Sequence, residues 1–295
     1  MDFKAELKNR TEYIEHILDK YLPETGGFQN TCFEAVRYSV LNGGKRLRPM
    51  LMSEVYKFFG GEGEAIEPFM AAIEFMHSSS LVHDDLPAMD NDEYRRGRKT
   101  TWVVYNDDMA ILAGDALMIM TFEAASKAFA LTDRTDLVGR AIGVLGNKSG
   151  VYGMVGGQSV DVELTDKPIP KDTLDFIYRL KTGALLEASM MIGAIMAGAS
   201  DEEIAIMERI ASDVGLAFQI QDDILDVTST KEVLGKPVLS DDKNNKTTYV
   251  TLEGIEKAKD MVKLYSERAI ESLDKLPYKN EFLRDLIIGL ITRDK

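Results

Sequence analysis

Apolar residues return every three or four positions along most of this chain, as at Leu7, Ile14, Ile17 and Leu18 and again at Ile255, Ala258, Met261, Val262 and Tyr265. That is the period of a helix with one buried face. Turn-forming stretches interrupt it at 22–27 (LPETGG), 59–64 (FGGEGE), 166–172 (DKPIPKD) and in a polar run over 235–245. Nowhere does period-two alternation run between hairpin turns, so no sheet is expected and the fold class predicted is all-α. None of the breaks is long or biased enough to be a linker, and no repeat of fixed period is present. One helical domain over 1–295 is the simplest organisation, with the run after Gly235 as a candidate mobile loop.

Composition narrows the function. With 295 residues, 45% hydrophobic and 28% charged, the chain has the balance of a water-soluble globular protein. Its 35 basic and 49 acidic side chains leave a net charge of −14, which argues against a nucleic-acid binder that covers long stretches of phosphate. A single cysteine, Cys32, cannot form an internal disulfide, and with three histidines it leaves little material for a zinc site. The first residues alternate charge with apolar positions and show no secretory core. The most apolar long stretch, 183–199, is interrupted by Glu187 and dotted with Gly and Ala, so it reads as a buried helix and not a membrane span. A cytoplasmic location is expected.

Two acidic clusters carry the first chemical message. In DDLPAMD, Asp84, Asp85 and Asp90 close an apolar helical run over 69–82. Carboxylates this close repel unless a cation sits among them. Asp84 and Asp90 would lie about 240° apart on an unbroken helix, but Pro87 ends or kinks the helix and lets the chain bring Asp90 back. In QDDILD, Asp222 and Asp226 are four residues apart, about 40° from each other on one helical face, with Asp223 between them. The preceding VGLAFQI reads as buried. Oxygen-only ligand sets suit Mg²⁺, which completes its shell with water and substrate phosphate oxygens.

Local positive charge stands out against the acidic whole. GGKRLRP places Lys45 and Arg48 three apart, on one face if the segment is helical, after a flexible Gly43-Gly44. It is not a nucleotide P-loop, because the first Gly and the Ser or Thr after the Lys are missing. Arg95 and Arg96 follow Asp90 closely enough for guanidinium groups to grip phosphate oxygens beside a metal. Lys181 with Thr182, then Lys236 and Lys246, complete a set that reads as a diphosphate trap.

Taken in order, GGKRLRPML, the segment from His77 through DDLPAMDNDEYRRG, AGDAL, GGQ, KTG and FQIQDDILD resemble the trans-isoprenyl diphosphate synthases, over roughly 38–248. The four-residue spacer 86–89 is similar to the bacterial farnesyl type and to the related geranylgeranyl enzymes. The resemblance implies helices around a deep central cavity, usually in a homodimer, and an enzyme that joins an allylic diphosphate (dimethylallyl, geranyl or farnesyl) to isopentenyl diphosphate with release of pyrophosphate. Carried over by motif position, Asp84, Asp85, Asp90, Asp222, Asp223 and Asp226 would hold Mg²⁺ on the allylic diphosphate. Arg95, Lys181 and Lys236 would grip that diphosphate, with Thr182 and Gln219 beside the reacting carbon. Lys45, Arg48, His77 and Arg96 would bind isopentenyl diphosphate, and Arg293 would help close that site.

The same resemblance puts chain-length control on the helix before the first acidic motif, where farnesyl enzymes of this type carry a bulky aromatic five residues ahead of the first Asp. Here that position is Ser79, followed by Ser80. One turn deeper, at about 6 Å, lie Phe75 and Met76 as a new floor. A twenty-carbon product is favoured, and a fifteen-carbon product follows if another helix fills the space. Two rival readings fit the motifs less well. A terpene cyclase usually carries a different second metal motif from DDILD, and a non-catalytic modulating subunit typically loses an aspartate motif, whereas both are intact here.

Overall fold

The computed structural model describes residues 2–228 and 247–291. Lys236, Lys246 and Arg293, and the run after Gly235, lie outside them. The chain divides into two compact units, Met1–Ser53 with Glu62–Ile142, and Glu54–Gly61 with Gly143–Lys295.

In the first unit, α1 (Phe3–Tyr21) starts where Asp2 accepts from the backbone N–H groups of Lys4 and Ala5 at 3.1 and 3.3 Å, satisfying donors that a helix start leaves open. It buries Ile14, Ile17 and Leu18, the stripe its periodicity predicts. The helices α2 (Asn30–Leu41) and α3 (Leu47–Phe58) follow, and then a 3-10 turn, Glu64–Ile66, leads into α4 (Glu67–Asp84). This helix has almost no polar face, and it is buried on nearly all sides from Glu67 to Met76. It packs along α6 (Asp107–Ser126), which follows the short α5 (Thr101–Tyr105). The Thr121 hydroxyl of α6 reaches the Ala72 carbonyl of α4 at 3.3 Å.

Two features depart from expectation. A two-stranded antiparallel ribbon, β1 (Tyr94–Arg95) with β2 (Arg98–Lys99), carries the YRRGR arginines. Two residues a strand are too few to show alternation, which is why the pattern gave no sheet. The segment Asp107–Ala130, and not 183–199, is the one helix among the described residues long and apolar enough to cross a membrane, and 39% of its apolar 18-residue window is buried. The fold class is otherwise as predicted: helices dominate.

In the second unit, α7 (Thr135–Ser149, which begins in the first), α8 (Met154–Glu163) and α9 (Lys171–Ile177) lead into a π-helical turn, Tyr178–Gly183. There follow α10 (Ala184–Met196), α11 (Asp201–Thr228), α12 (Tyr249–Glu253), α13 (Ile255–Asp274) and α14 (Glu281–Ile291). The packed centre is α11 against α10 and α13. The helix α10 is buried along nearly its whole length, as its composition predicts. Its one carboxylate, Glu187, is 1% exposed and is compensated by Lys148, which also reaches Glu208 at 2.6 Å. Arg268 of α13 pairs with Asp213 of α11.

Candidate active site

The first acidic motif sits at the end of α4. Past Pro87 the chain turns back, and the N–H of Asp90 donates to the carbonyl of Asp84 at 2.8 Å. The return predicted from Pro87 is what the backbone does. Asp84 is half-buried and Asp90 exposed, whereas Asp85 is 4% exposed and accepts from Arg95 at 2.7 Å. Burial raises the Asp85 carboxyl, and the Arg95 hydrogen bond offsets that only in part. Trp102 and Thr100 both donate to the Asp92 carbonyl and fasten the loop behind the motif. Gly114 of the AGDAL motif has a clear purpose. A methyl there would fall 2.1 Å from His83 Nε2, so the glycine leaves room for the His83 ring where α6 passes α4.

The two neighbouring arginines part company. Arg95 faces Asp85 and Asp92, while Arg96 donates to the Gly43 carbonyl. The ribbon turn thereby links the acidic motif to the GGKRLRP loop. A Cβ on Gly44, at φ +143°, would meet Arg96 at 2.5 Å, so this glycine too is needed for a close approach. Lys45 lies in the loop and not on a helical face, because α3 begins only at Leu47; Arg48 is in its first turn. Arg48 Nε is buried without a hydrogen-bond partner, and burial pushes its pKa down to about 10. Burial together with Arg48, Arg96, Arg95 and Arg46 holds His77 well below 6.5, so its ring is neutral near pH 7. Arg48, His77 and Arg96 therefore belong to one cationic neighbourhood, and Lys45 lies on the loop three residues before Arg48.

The second unit holds the other half of the assigned residues. Lys181 and Thr182 ride on the π-helical turn, an irregularity that redirects side chains inside a helix and recurs at functional sites. Gly157 of the GGQ motif packs against that turn so tightly that a Cβ would fall 2.3 Å from Lys181 N. Lys181 Nζ donates to Asp161 at 2.6 Å, and the Thr182 hydroxyl donates to Gln219 Oε1 of α11 at 2.9 Å. Gly215, with Gly183 Cα 3.0 Å from where its Cβ would be, allows that approach. Asp161, Lys181, Thr182 and Gln219, with Tyr178, Asp223 and Thr248, line a cleft of about 170 Å³.

Asp223 is 3% exposed and committed to protein partners. The Tyr178 hydroxyl donates to both its oxygens, at 2.8 and 2.9 Å, and the Tyr249 N–H donates to Oδ2 at 2.9 Å. Asp222 is half-buried and Asp226 is 3% exposed. Sequence reasoning missed Asp161, Tyr178, Glu74 and Arg46. Glu74 had a cue, a lone carboxylate inside the apolar run FMAAIEFM, which requires a buried partner. Tyr178 had none, since a tyrosine at helical spacing looks like any core aromatic. On α4, Ser79 is 1% exposed and its hydroxyl donates to the Met76 carbonyl at 2.8 Å; Ser80 does the same to His77 at 2.9 Å. Phe75 and Met76 are buried.

A polyprenyl synthetase family model matches residues 29–279, most of the chain and both acidic motifs. The chain belongs to the polyprenyl synthetase family. This synthetase is 41% identical over 268 residues to a geranylgeranyl diphosphate synthase of Cyanophora paradoxa, covering 90% of this chain and 88% of that one. It is 42% identical over 291 residues to a dimethylallyltranstransferase of Fischerella ambigua, covering 97% and 82%. Among solved structures it resembles an FPP/GFPP synthase from Zymomonas mobilis, with a TM-score of 0.87, 32% identity and 99% of each chain covered. It also resembles a geranyltransferase from Helicobacter pylori complexed with magnesium and isoprenyl diphosphate, with a TM-score of 0.84, 30% identity and 99% and 97% covered.

The carboxylates of this synthetase fit magnesium by donor type. Among the described residues no three His, Cys, Asp or Glu side chains converge tightly enough to cage a metal.

Proposed function

We propose that this polyprenyl synthetase is a single-domain, Mg²⁺-dependent prenyltransferase that condenses isopentenyl diphosphate with an allylic diphosphate and makes farnesyl or geranylgeranyl diphosphate, with the twenty-carbon product favoured. The observation that carries the reading is the division of labour between the arginines: Arg95 turns to the acidic motif and Arg96 to the Gly43 loop beside Arg48 and His77. One unit thus offers a metal-linked anion position and a separate cationic one, as two different diphosphate substrates require.

Asp84 and Asp90, and Asp222 with Asp226, would hold Mg²⁺. When bound, the ion neutralises charge that develops on the departing diphosphate. The chain's own part is preorganisation. Arg95 is held in place by Asp85 and, in the other unit, Lys181 by Asp161, so each donor is presented to a phosphate without rearrangement. Thr182 spends its proton on Gln219, which leaves its oxygen lone pairs to face a developing allylic cation. The neutral His77 can donate to an isopentenyl diphosphate oxygen without adding charge. The last proton leaves to a pyrophosphate oxygen, so no dedicated base is required.

The exposed apolar residues of α6 support a homodimer. Ile111, Leu112, Ile119 and Phe122 are 40–70% exposed and fall within about 100° of arc on one helix face. A second copy of this chain, in place of a membrane, is the occupant that fits a cytoplasmic synthase.

The test is to incubate the purified protein with Mg²⁺, isopentenyl diphosphate and dimethylallyl diphosphate and to identify the dephosphorylated alcohols. Fifteen- or twenty-carbon alcohols are expected. Pyrophosphate release without isopentenyl diphosphate would mark a cyclase, and no turnover without an added synthase would mark a modulating subunit.

A further inference from the structure

Arg46 sits between the two anion-facing residues of the GGKRLRP loop, yet it faces inward. It is 2% exposed and its backbone takes the left-handed conformation, φ +50°, that a branched or bulky residue avoids unless its surroundings hold it there. Three hydrogen bonds hold it. Nε donates to Glu15 of α1 at 2.6 Å, Nη1 to Glu74 of α4 at 2.8 Å, and Nη2 to the Val40 carbonyl of α2 at 2.7 Å. One guanidinium therefore ties three helices together at the junction of the Lys45 loop with α3.

Glu74 is the other half of the device. It is 2% exposed and lies one turn before His77, on the same face of α4. Its charge acts on Arg46, Arg48 and Arg96 alike, raising the affinity of each for its proton. It is thus the buried counter-charge of a neighbourhood that is otherwise cationic. Without it, Arg46 would keep only Glu15, a carboxylate at the edge of the buried site, as its counter-charge.

We propose that the Arg46–Glu74 pair is a positioning device for the isopentenyl diphosphate subsite: it fixes the junction of the Lys45 loop with the first turn of α3, which carries Arg48, against α4 and its His77, without itself touching substrate. The inference rests on the reading of Lys45, Arg48, His77 and Arg96 as that subsite. A fork with three separate partners is something only arginine supplies, because lysine offers one point of attachment.

The experiment measures kcat and both KM values for Arg46→Lys, Arg46→Met, Glu74→Leu and the double variant Arg46→Met/Glu74→Leu, with thermal melting beside them. Each variant is expected to raise KM for isopentenyl diphosphate about tenfold or more, while KM for the allylic diphosphate and kcat change less than about threefold. The double variant removes both buried charges, so its melting temperature should recover towards wild type while KM for isopentenyl diphosphate stays raised. A pair that only stabilises the fold would lose that KM effect in the double variant. That result, or an unchanged KM in Arg46→Lys, or equal rises in both KM values, would overturn the proposal. If the single removals do not fold, Arg46→Lys and the double variant decide. Arg48→Gln separates the two levels. If it leaves KM for isopentenyl diphosphate unchanged, the subsite reading fails; if it raises that KM and the Arg46 and Glu74 variants do not, the positioning proposal alone fails.

Discussion

Ser79 offers the sharpest handle on product length. Its side chain is 1% exposed, its hydroxyl is spent on the Met76 carbonyl, and Phe75 lies one helical turn deeper, about 6 Å away. A tyrosine at 79 would place a ring one turn nearer the acidic motif than Phe75 does, a step comparable to one five-carbon unit. A tail that can no longer bury its last five carbons loses about 4 kcal/mol, at about 0.8 kcal/mol per carbon. That converts to roughly a thousandfold slowing of the last condensation, while the shorter-chain steps keep their rates. The assay is the ratio of twenty- to fifteen-carbon alcohol from Ser79→Tyr against wild type at equal turnover, with a melting curve to show that the inserted ring, which costs about 1–3 kcal/mol in a packed site, has not unfolded the protein. The ratio should collapse towards fifteen carbons, and Phe75→Ala should shift it the other way. A folded, active Ser79→Tyr with unchanged products would refute the reasoning, because the tail would then not run along this face of α4.

Three further outcomes follow from particular contacts. Ile119→Glu places a charge in the exposed stripe of α6 and should convert a dimer to a monomer in sedimentation velocity; a monomeric wild type would sink the dimer reading. His77 is held well below its ordinary value of 6.5, so the unfolded chain binds its proton first and stability is lost as pH falls below about 6.5, by at most about 1.4 kcal/mol per pH unit. Urea unfolding of His77→Gln should show a shallower acid slope than wild type, and identical slopes would contradict this. Gly157→Ala forces a methyl to within 2.3 Å of Lys181 N, so it should cost about 1–3 kcal/mol and depress turnover through the π-helical turn; a fully active, equally stable variant would show that the turn tolerates displacement.

What could be read from the sequence, and what could not, divides by range. The helices were legible because a buried stripe writes a period into neighbouring residues, as Ile14, Ile17 and Leu18 do in α1. The return of Asp90 to Asp84 was legible because Pro87 acts within the same few residues. The π-helical turn was not, since a single extra residue changes only where the apolar stripe points, and the close approach of Gly157 to it comes from another element. Pairings across elements were equally silent. Lys181 with Asp161 and Arg46 with Glu74 join residues 20 and 28 positions apart, and local pattern carries no information at that distance. The resemblance to the synthases supplied roles for the motif residues, but not the partners that hold them.

Those partners change how the aspartate motifs should be understood. In each motif the middle carboxylate is buried and satisfied by the protein: Asp85 by Arg95, and Asp223 by the Tyr178 hydroxyl and the Tyr249 N–H. Asp84 and Asp222 are less buried, and Asp90 is exposed. A buried carboxylate whose two oxygens share the Tyr178 hydroxyl proton, with the Tyr249 N–H on one of them, is oriented and partly neutralised by the protein and offers a metal less than an open one does. Middle and outer positions should therefore separate on mutation. Tyr178→Phe removes a donor from a buried charged acceptor and should cost about 1.5–3 kcal/mol in urea unfolding, with Asp223→Asn also destabilising. Both should leave the Mg²⁺ concentration for half-maximal rate within a few-fold of wild type. Asp84→Asn and Asp222→Asn should do the reverse, raising that concentration at least tenfold with little loss of stability. If Asp223→Asn raised the Mg²⁺ requirement as much as Asp222→Asn while Tyr178→Phe left stability unchanged, the middle aspartate would be a metal ligand after all.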